Sequence, residues 1–171
     1  ASFARFYSRN LNRHPIFVQS ATAGTLFLVG DGISQHVIEK KPLKDHDYSR
    51  TALLGSYGTF VVGPGVALWY RFLNKQVTLK NKALNTLCRT ALDQLIFAPA
   101  SLAFFFVYTG TFEFKTKEEI QAKLNKQWWP TLVANWYVWP PVQLVNFYVT
   151  PLNYQSLVVN SVALGWNTYL A

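Results

Sequence analysis

The chain has 171 residues, enough for one domain; 14% are charged, 16% aromatic and 50% apolar. Soluble globular domains carry about 25% charged residues, so this composition excludes an ordinary water-soluble surface. The net charge of +8 comes from basic residues between apolar stretches, which is typical of membrane-flanking segments and does not indicate nucleic-acid binding.

Three long stretches carry neither a charged residue nor a histidine: residues 51–70, 94–112 and 127–171. A helix that crosses the roughly 30 Å core of a bilayer needs about 20 mainly apolar residues. The sequence therefore predicts an all-α integral membrane protein, a bundle of four to five transmembrane helices with amphipathic interfacial helices, forming one domain over residues 1–171. A β-barrel is disfavoured because the apolar runs do not alternate with a period of two.

The first fifteen residues form an amphipathic segment. Arg5, Arg9 and Arg13 recur at intervals of four, so a helix would place them on one face, and no acidic residue precedes Asp31. This pattern is typical of a mitochondrial targeting segment, and equally of a retained helix at the headgroup level of an anionic membrane.

The predicted spans cover about 16–38, 51–73, 88–112, 131–149 and 152–171. In the second span Gly55, Thr59 and Gly63 recur at intervals of four, a spacing that allows helices in lipid to approach closely. Residues 113–129 between the third and fourth spans predict a separate interfacial helix, anchored by Trp128 and Trp129.

The predicted fourth span carries a polar stripe. At about 100° per residue, Asn135, Trp139, Gln143 and Asn146 fall on one side of the helix. Each unsatisfied polar group in hydrocarbon costs several kcal/mol, so this side is expected to face partner helices or water.

Asp31 and Asp93 are the only carboxylates inside the predicted spans. An acidic residue inside the membrane is costly, so both positions are candidate functional sites. One interpretation is a structural ion pair, formed by Asp93 with Arg89 or by Asp31 with Arg50 or Arg89. The other is a role in solute or proton passage. Catalysis is not favoured, since no nucleophile, metal cluster or phosphate loop accompanies the two acids, and the chain is not expected to be an enzyme.

No cofactor or metal ion is expected. Cys88 is the single cysteine, and His14, His36 and His46 lack the spacing of metal ligands.

Short motifs along nearly the whole chain, from about Tyr7 to Ala171, resemble those of a known family. They are His14-Pro15; Gly30-Asp31 with Gln35; Asp47 before Arg50-Thr51; Gly63-Pro64 followed by Trp69-Tyr70; Asp93-Gln94 with Pro99; Trp139-Pro140, Gln143, Asn146-Phe147 and Pro151; and Trp166 to Leu170. The chain thereby resembles the Mpv-seventeen family, also called the 22-kDa peroxisomal membrane protein family. The stretch WWPTLVANWYVWP resembles the family's fungal mitochondrial inner-membrane branch.

This resemblance implies a small channel-like helical protein of the mitochondrial inner membrane, or alternatively of the peroxisomal membrane, linked to metabolite balance. The alternative is a non-conducting structural or accessory subunit of a larger inner-membrane complex. The expected partners are the lipid bilayer, including anionic lipids, and either further copies of the chain or a larger membrane complex. Three positions depart from the family pattern: Ala67 stands for a histidine, Gln155 for an arginine and Thr150 for a valine.

The residues expected to form the intramembrane polar network or pathway are Asp31, Gln35, Arg50, Arg89, Asp93, Gln94, Asn135, Trp139, Gln143, Asn146 and Asn167.

Overall fold

A computed structural model describes residues 2–170, with side chains for residues 6–166. Every regular element in this part of the chain is helical. The α-helices are α1 (Ser2–Arg13), α2 (Pro15–Ile33), α3 (Tyr48–Tyr57), α4 (Gly63–Gln76), α5 (Lys82–Leu92), α6 (Ala98–Phe112), α7 (Lys117–Val149) and α8 (Leu152–Leu170). A short 3₁₀ turn lies at Leu43–Asp45, and π-helical turns lie at Ser34–Ile38, Gly58–Val62 and Asp93–Phe97.

The π-helical turns join consecutive helices into longer rods. Three continuous helical stretches in the described residues are long and apolar enough to cross a membrane: Pro15–Ile38 with 24 residues, Tyr48–Gln76 with 29 and Lys82–Phe112 with 31. They coincide with the first three predicted spans and confirm the all-helical class. The residues of the fourth and fifth predicted spans are also helical, within α7 and α8.

The chain divides into two compact units, residues 1–75 with 151–171, and residues 76–150. In unit 1, α2 lies at the centre and packs against α1, α3, the π-helical turn Gly58–Val62 and α8. Glycine makes this packing close: a methyl group added to Gly24 would lie 1.9 Å from Thr59 Oγ1, and one on Gly63 would lie 2.3 Å from Ser20 Cα. This is the close approach that the spacing of small residues predicts.

In unit 2, α5 and α6 both pack against α7. The helix starts are capped by side chains: Asn81 Oδ1 accepts from the backbone N–H groups of Ala83 and Leu84, and Thr116 forms a reciprocal capping box with Glu119. Such caps satisfy N–H groups that have no partner within the helix.

The predicted break between an interfacial helix at 113–129 and a span at 131–149 is wrong, because α7 runs without interruption from Lys117 to Val149. Pro130 lies inside this helix, where it removes one backbone hydrogen bond and is no barrier by itself. Indole N–H groups hold the helix on both sides of it: Trp128 Nε1 donates to the Pro99 carbonyl and Trp136 Nε1 to the Gln94 carbonyl, each at 3.0 Å. The continuous helix is thereby fixed along the rod that ends in α6.

Polar and apolar side chains are distributed opposite to the pattern of a soluble protein. Gln35 and Asn146 are 0% exposed, whereas Phe60 is 76% and Tyr137 81% exposed. A surface of large apolar side chains around buried amides is stable in lipid and not in water.

Candidate functional site

The first buried polar site surrounds Asp31 at the end of α2, and we call it the Asp31 cluster. The Asp31 side chain is fully buried, and its Oδ2 accepts from Gln35 Nε2 at 2.7 Å and from Thr51 Oγ1 at 2.5 Å. Arg50 Nε lies 2.8 Å from Asp31 Oδ1, an ion pair without hydrogen-bond alignment. The full cluster consists of Asp31, Ser34, Gln35, Glu39, Arg50 and Thr51.

Gln35 sits in the π-helical turn Ser34–Ile38 and connects it to the start of α3. Its Oε1 accepts from the Asp47 backbone N–H at 2.7 Å, and its Nε2 also lies 3.1 Å from the Asp47 carbonyl. Asp47 in turn caps α3 by accepting from the backbone N–H of Arg50 at 2.9 Å. The Gln35 amide therefore positions the start of α3, which carries the Arg50 and Thr51 side chains that contact Asp31.

Arg50 forms ion pairs with two carboxylates, those of Asp31 and Glu39. Its Nη1 lies 2.5 Å from Glu39 Oε1, and its Nη2 donates to Ser34 Oγ at 3.0 Å. The side-chain hydrogen bond from Lys41, together with that from Arg50, lowers the pKa of Glu39 from 4.5 to about 2. Glu39 therefore stays ionised, and Arg50 keeps a carboxylate partner in addition to Asp31.

Two histidines extend the Asp31 cluster toward the loop after α2. His36 Nε2 lies 2.8 Å from His46 Nδ1, with the two ring planes 23° apart. His46 Nε2 lies 2.9 Å from Thr51 Oγ1, and His36 Nδ1 lies 2.9 Å from the Lys41 carbonyl. This pairing of the two histidines was not predicted, because their spacing fits neither a metal site nor one helix face.

The second buried polar site, the Asp93 cluster, lies in unit 2. Asp93 Oδ2 accepts from Gln94 Nε2 at 2.9 Å and from Gln143 Nε2 at 2.8 Å, and Asn146 Nδ2 donates to Gln143 Oε1 at 3.2 Å. Asp93 and Gln94 open the π-helical turn Asp93–Phe97. The cluster consists of Asp93, Gln94, Gln143 and Asn146.

The remaining predicted members of the polar network are Arg89, Asn135, Trp139 and Asn167, apart from Arg50, which belongs to the Asp31 cluster. Arg89 donates from Nε and Nη2 to the Val77 carbonyl, at 3.3 and 2.8 Å. Asn135 and Trp139 are buried on α7, on the side of the helix predicted to be polar. The Asn167 side chain lies outside the described residues.

A third polar feature was not predicted: a row along α8 and the facing part of α2. Gln19 Nε2 donates to the Asn153 carbonyl at 3.0 Å, and Ser156 and Asn160 follow at positions that share this face of α8. Ser156 and Asn160 are each 1% exposed. The α8 row is defined as Gln19, Ser156 and Asn160.

Polar atoms of the α8 row have no hydrogen-bond partner among the described residues. They are Gln19 Oε1, Ser156 Oγ, and both Nδ2 and Oδ1 of Asn160. A buried polar group left without a partner costs about 1–3 kcal/mol, so four such atoms in one row call for a polar occupant. The spacing of Ser156 and Asn160 by four residues is the signal that points to them in the sequence.

Gln155, the position at which the resemblance implies an arginine, is also buried. Its Oε1 accepts from Asn74 Nδ2 at 3.2 Å. The position thus keeps a polar contact within unit 1 without a positive charge.

Apolar helices that turn their acids and amides inward define a helical membrane protein. Residues 110–171 match the Mpv17 / PMP22 family. Protein SYM1 of Gibberella zeae is 41% identical over 172 residues, covering 100% of this chain and 97% of the relative. Mitochondrial inner membrane protein Mpv17 of Danio rerio is 44% identical over 171 residues, covering 100% of this chain and 96% of the relative. Protein SYM1 of Saccharomyces cerevisiae is 38% identical over 170 residues, covering 96% of this chain and 86% of the relative.

The chain therefore belongs to the Mpv17 / PMP22 family, as its motifs predicted. The predicted location in the mitochondrial inner membrane is confirmed by the same full-length similarity. No solved structure matches the chain.

Proposed function

We propose that the chain is a non-enzymatic inner-membrane protein that provides a path for small polar solutes. In this proposal α7 and α8 cross the bilayer together with the three apolar stretches. The path in unit 1 follows the α8 row. The observation that carries the proposal is Asn160, an amide 1% exposed with neither side-chain atom partnered in the described residues.

An unpartnered amide favours a path over a purely structural role. A structural amide in a membrane bundle stabilises helix association through hydrogen bonds across helices. Asn160 makes none in the described part of the chain, so it costs stability unless water or a solute supplies its partners. Buried polar groups without protein partners are available to replace the hydration shell of a passing solute.

The decisive experiment measures release of small entrapped solutes from liposomes containing the purified chain and its Asn160→Leu variant. Release by the wild type and a large reduction in Asn160→Leu are expected. Because the substitution removes an unpartnered amide, thermal stability should stay unchanged or rise. The control Asn125→Leu, at an exposed position of α7, should release solutes like the wild type.

Two results would contradict the proposal. One is that liposomes containing folded wild-type protein release no solute, and the other is that Asn160→Leu releases solutes as fast as the wild type. Loss of stability in Asn160→Leu would instead assign the amide a structural partner.

The alternative function, a non-conducting accessory subunit, is favoured by the Asp93 cluster. There the amides of Gln94, Gln143 and Asn146 bond within the cluster, as in a network that stabilises a bundle. Native gel electrophoresis of mild detergent extracts separates the two functions. A subunit migrates with a large assembly, whereas a solute path formed by this chain alone migrates as a small oligomer.

A further inference from the structure

A continuous hydrogen-bonded chain joins the loop after α2 to the buried carboxylate of Asp31. In order, it runs from the Lys41 carbonyl to His36, His46 and Thr51, and ends at Asp31, with successive contacts of 2.9, 2.8, 2.9 and 2.5 Å. Both histidines are half-buried, and the loop beside them is largely exposed. The chain therefore leads from a solvated segment to a fully buried acid.

Counting hydrogen atoms along this chain shows what each direction of the Thr51 hydrogen bond requires of the two rings. A carbonyl only accepts, so His36 Nδ1 carries a hydrogen. One further hydrogen lies between His36 Nε2 and His46 Nδ1. When Thr51 donates its single hydroxyl hydrogen to the Asp31 carboxylate, His46 Nε2 must donate to Thr51, which requires a third hydrogen on the two rings. Two neutral imidazoles carry two, so the pair then holds one excess proton.

Charged groups surround the two histidines. The titratable groups that contact the histidines or their partners are Asp31 from α2, Glu39 and Lys41 from the loop, and Asp47, Tyr48 and Arg50 from the start of α3. Three carboxylates and two cations are therefore among these contacting groups. Helix α8, which also packs against the π-helical turn Ser34–Ile38, carries no charged residue.

We propose that His36, His46, Thr51 and Asp31 form a proton relay that moves one proton between the loop and the intramembrane carboxylate. This inference does not rest on the solute path, because it uses the Asp31 cluster and not the α8 row.

The transfer balances as a single proton shift. The N–H bond of His46 Nε2 breaks as a new O–H bond forms at Thr51 Oγ1. The original O–H bond of Thr51 breaks as an O–H bond forms at Asp31 Oδ2. The imidazolium and the carboxylate become a neutral imidazole and a neutral acid, and Thr51 then donates to His46 Nε2. Arg50 retains Glu39 as its carboxylate partner throughout.

The test is infrared spectroscopy of the full chain in lipid bilayers after a rapid pH jump from neutral to mildly acidic. The C=O band of protonated Asp31 is assigned by its loss in Asp31→Asn. Thr51→Val keeps the side-chain shape and removes the hydroxyl, and we expect it to slow the rise of this band about tenfold or more. His46→Phe should slow it similarly, whereas Thr51→Ser should retain the fast phase.

Asp93→Asn supplies a control, because Asp93 is not a member of the proposed relay and its removal should leave the rise of the Asp31 band unchanged. Equal rates in Thr51→Val, Thr51→Ser and the wild type would overturn the relay, and so would an Asp31 band that never appears. A second readout does not depend on the variants folding. Nitrogen-15 NMR of the labelled wild type should detect a coupling across the hydrogen bond between His36 Nε2 and His46 Nδ1, and its absence would also overturn the proposal.

Discussion

The two buried acids of this protein, Asp31 and Asp93, lie in different units and accept hydrogen bonds from different side chains. Asp31 in unit 1 faces a cation, Arg50, and its cluster extends to a charged loop. Asp93 in unit 2 accepts from the neutral amides of Gln94 and Gln143. The Asp31 cluster thus links its carboxylate to a charged loop, and the Asp93 cluster links its carboxylate to amides of the turn Asp93–Phe97 and of α7.

The largest expected effect comes from removing the cation of the Asp31 cluster. Arg50→Met leaves Asp31 and Glu39 without their shared partner, and breaking a buried ion pair costs about 3 kcal/mol or more. Gln143→Leu removes one neutral donor from Asp93 and should cost less, about 1–3 kcal/mol. Unfolding by a denaturing detergent in mixed micelles measures both, with the exposed Arg13→Met as control. Equal losses of unfolding free energy in Arg50→Met and Gln143→Leu would contradict the distinction between the two acids.

The units should also differ in their tolerance of added volume. A methyl group on Gly63 in unit 1 meets the Ser20 backbone at 2.3 Å, whereas on Gly110 in unit 2 it meets the flexible Ile120 side chain at 2.6 Å. We expect Gly63→Ala to lose about 1–3 kcal/mol of unfolding free energy and Gly110→Ala to lose less. Gly65→Ala, with no atom within 4 Å of the added methyl, is the control and should be neutral or stabilising. An unchanged unfolding free energy in Gly63→Ala would contradict the close packing of α2.

The charged loop of unit 1 should give the protein a specific acid sensitivity. The pKa of Glu39 is lowered from 4.5 to about 2, so its contribution to stability is complete above about 4.5 and is lost as pH falls toward about 2. Glu39→Gln should remove this part of the pH dependence. Thermal unfolding at a series of acidic pH values measures it, and identical profiles for the variant and the wild type would refute the ion pairs of Glu39.

The smallest expected effect concerns the start of α7 in unit 2. Thr116→Ala removes the capping box with Glu119 and should cost about 1 kcal/mol, whereas Thr116→Ser keeps the hydroxyl and should cost little. Thermal unfolding in detergent compares the two. A larger loss than that of Arg50→Met would show that helix capping outweighs the buried ion pair.

Much of the fold could be predicted because lipid imposes simple rules on composition. The charge-free runs 51–70 and 94–112 lie within two of the three apolar stretches, and the spacing of Asp31 and Gln35 by four residues placed both on one face of a helix. The continuous α7, which passes through Pro130, was missed because residues 113–129 and 131–149 were predicted as separate elements. Its passage through that proline is fixed by tryptophan contacts to α6 and its preceding turn, which are distant in sequence.

The sequence could not reveal the finer parts of the sites. The π-helical turns that position Gln35 and Asp93 have no compositional signature. The pairing of His36 with His46 depends on the path of the loop between them. The isolation of Asn160 is visible only when the groups around it are known, since an amide in an apolar helix usually finds a partner on a neighbouring helix.

The proposed solute path requires water to reach the α8 row inside the membrane. Water-edited solid-state NMR of the full chain in lipid bilayers measures the transfer of magnetisation from water to each side chain. We expect the Asn160 amide to receive it nearly as fast as the exposed Asn125 amide. An Asn160 amide as slow as the apolar, exposed Val145 would contradict the account.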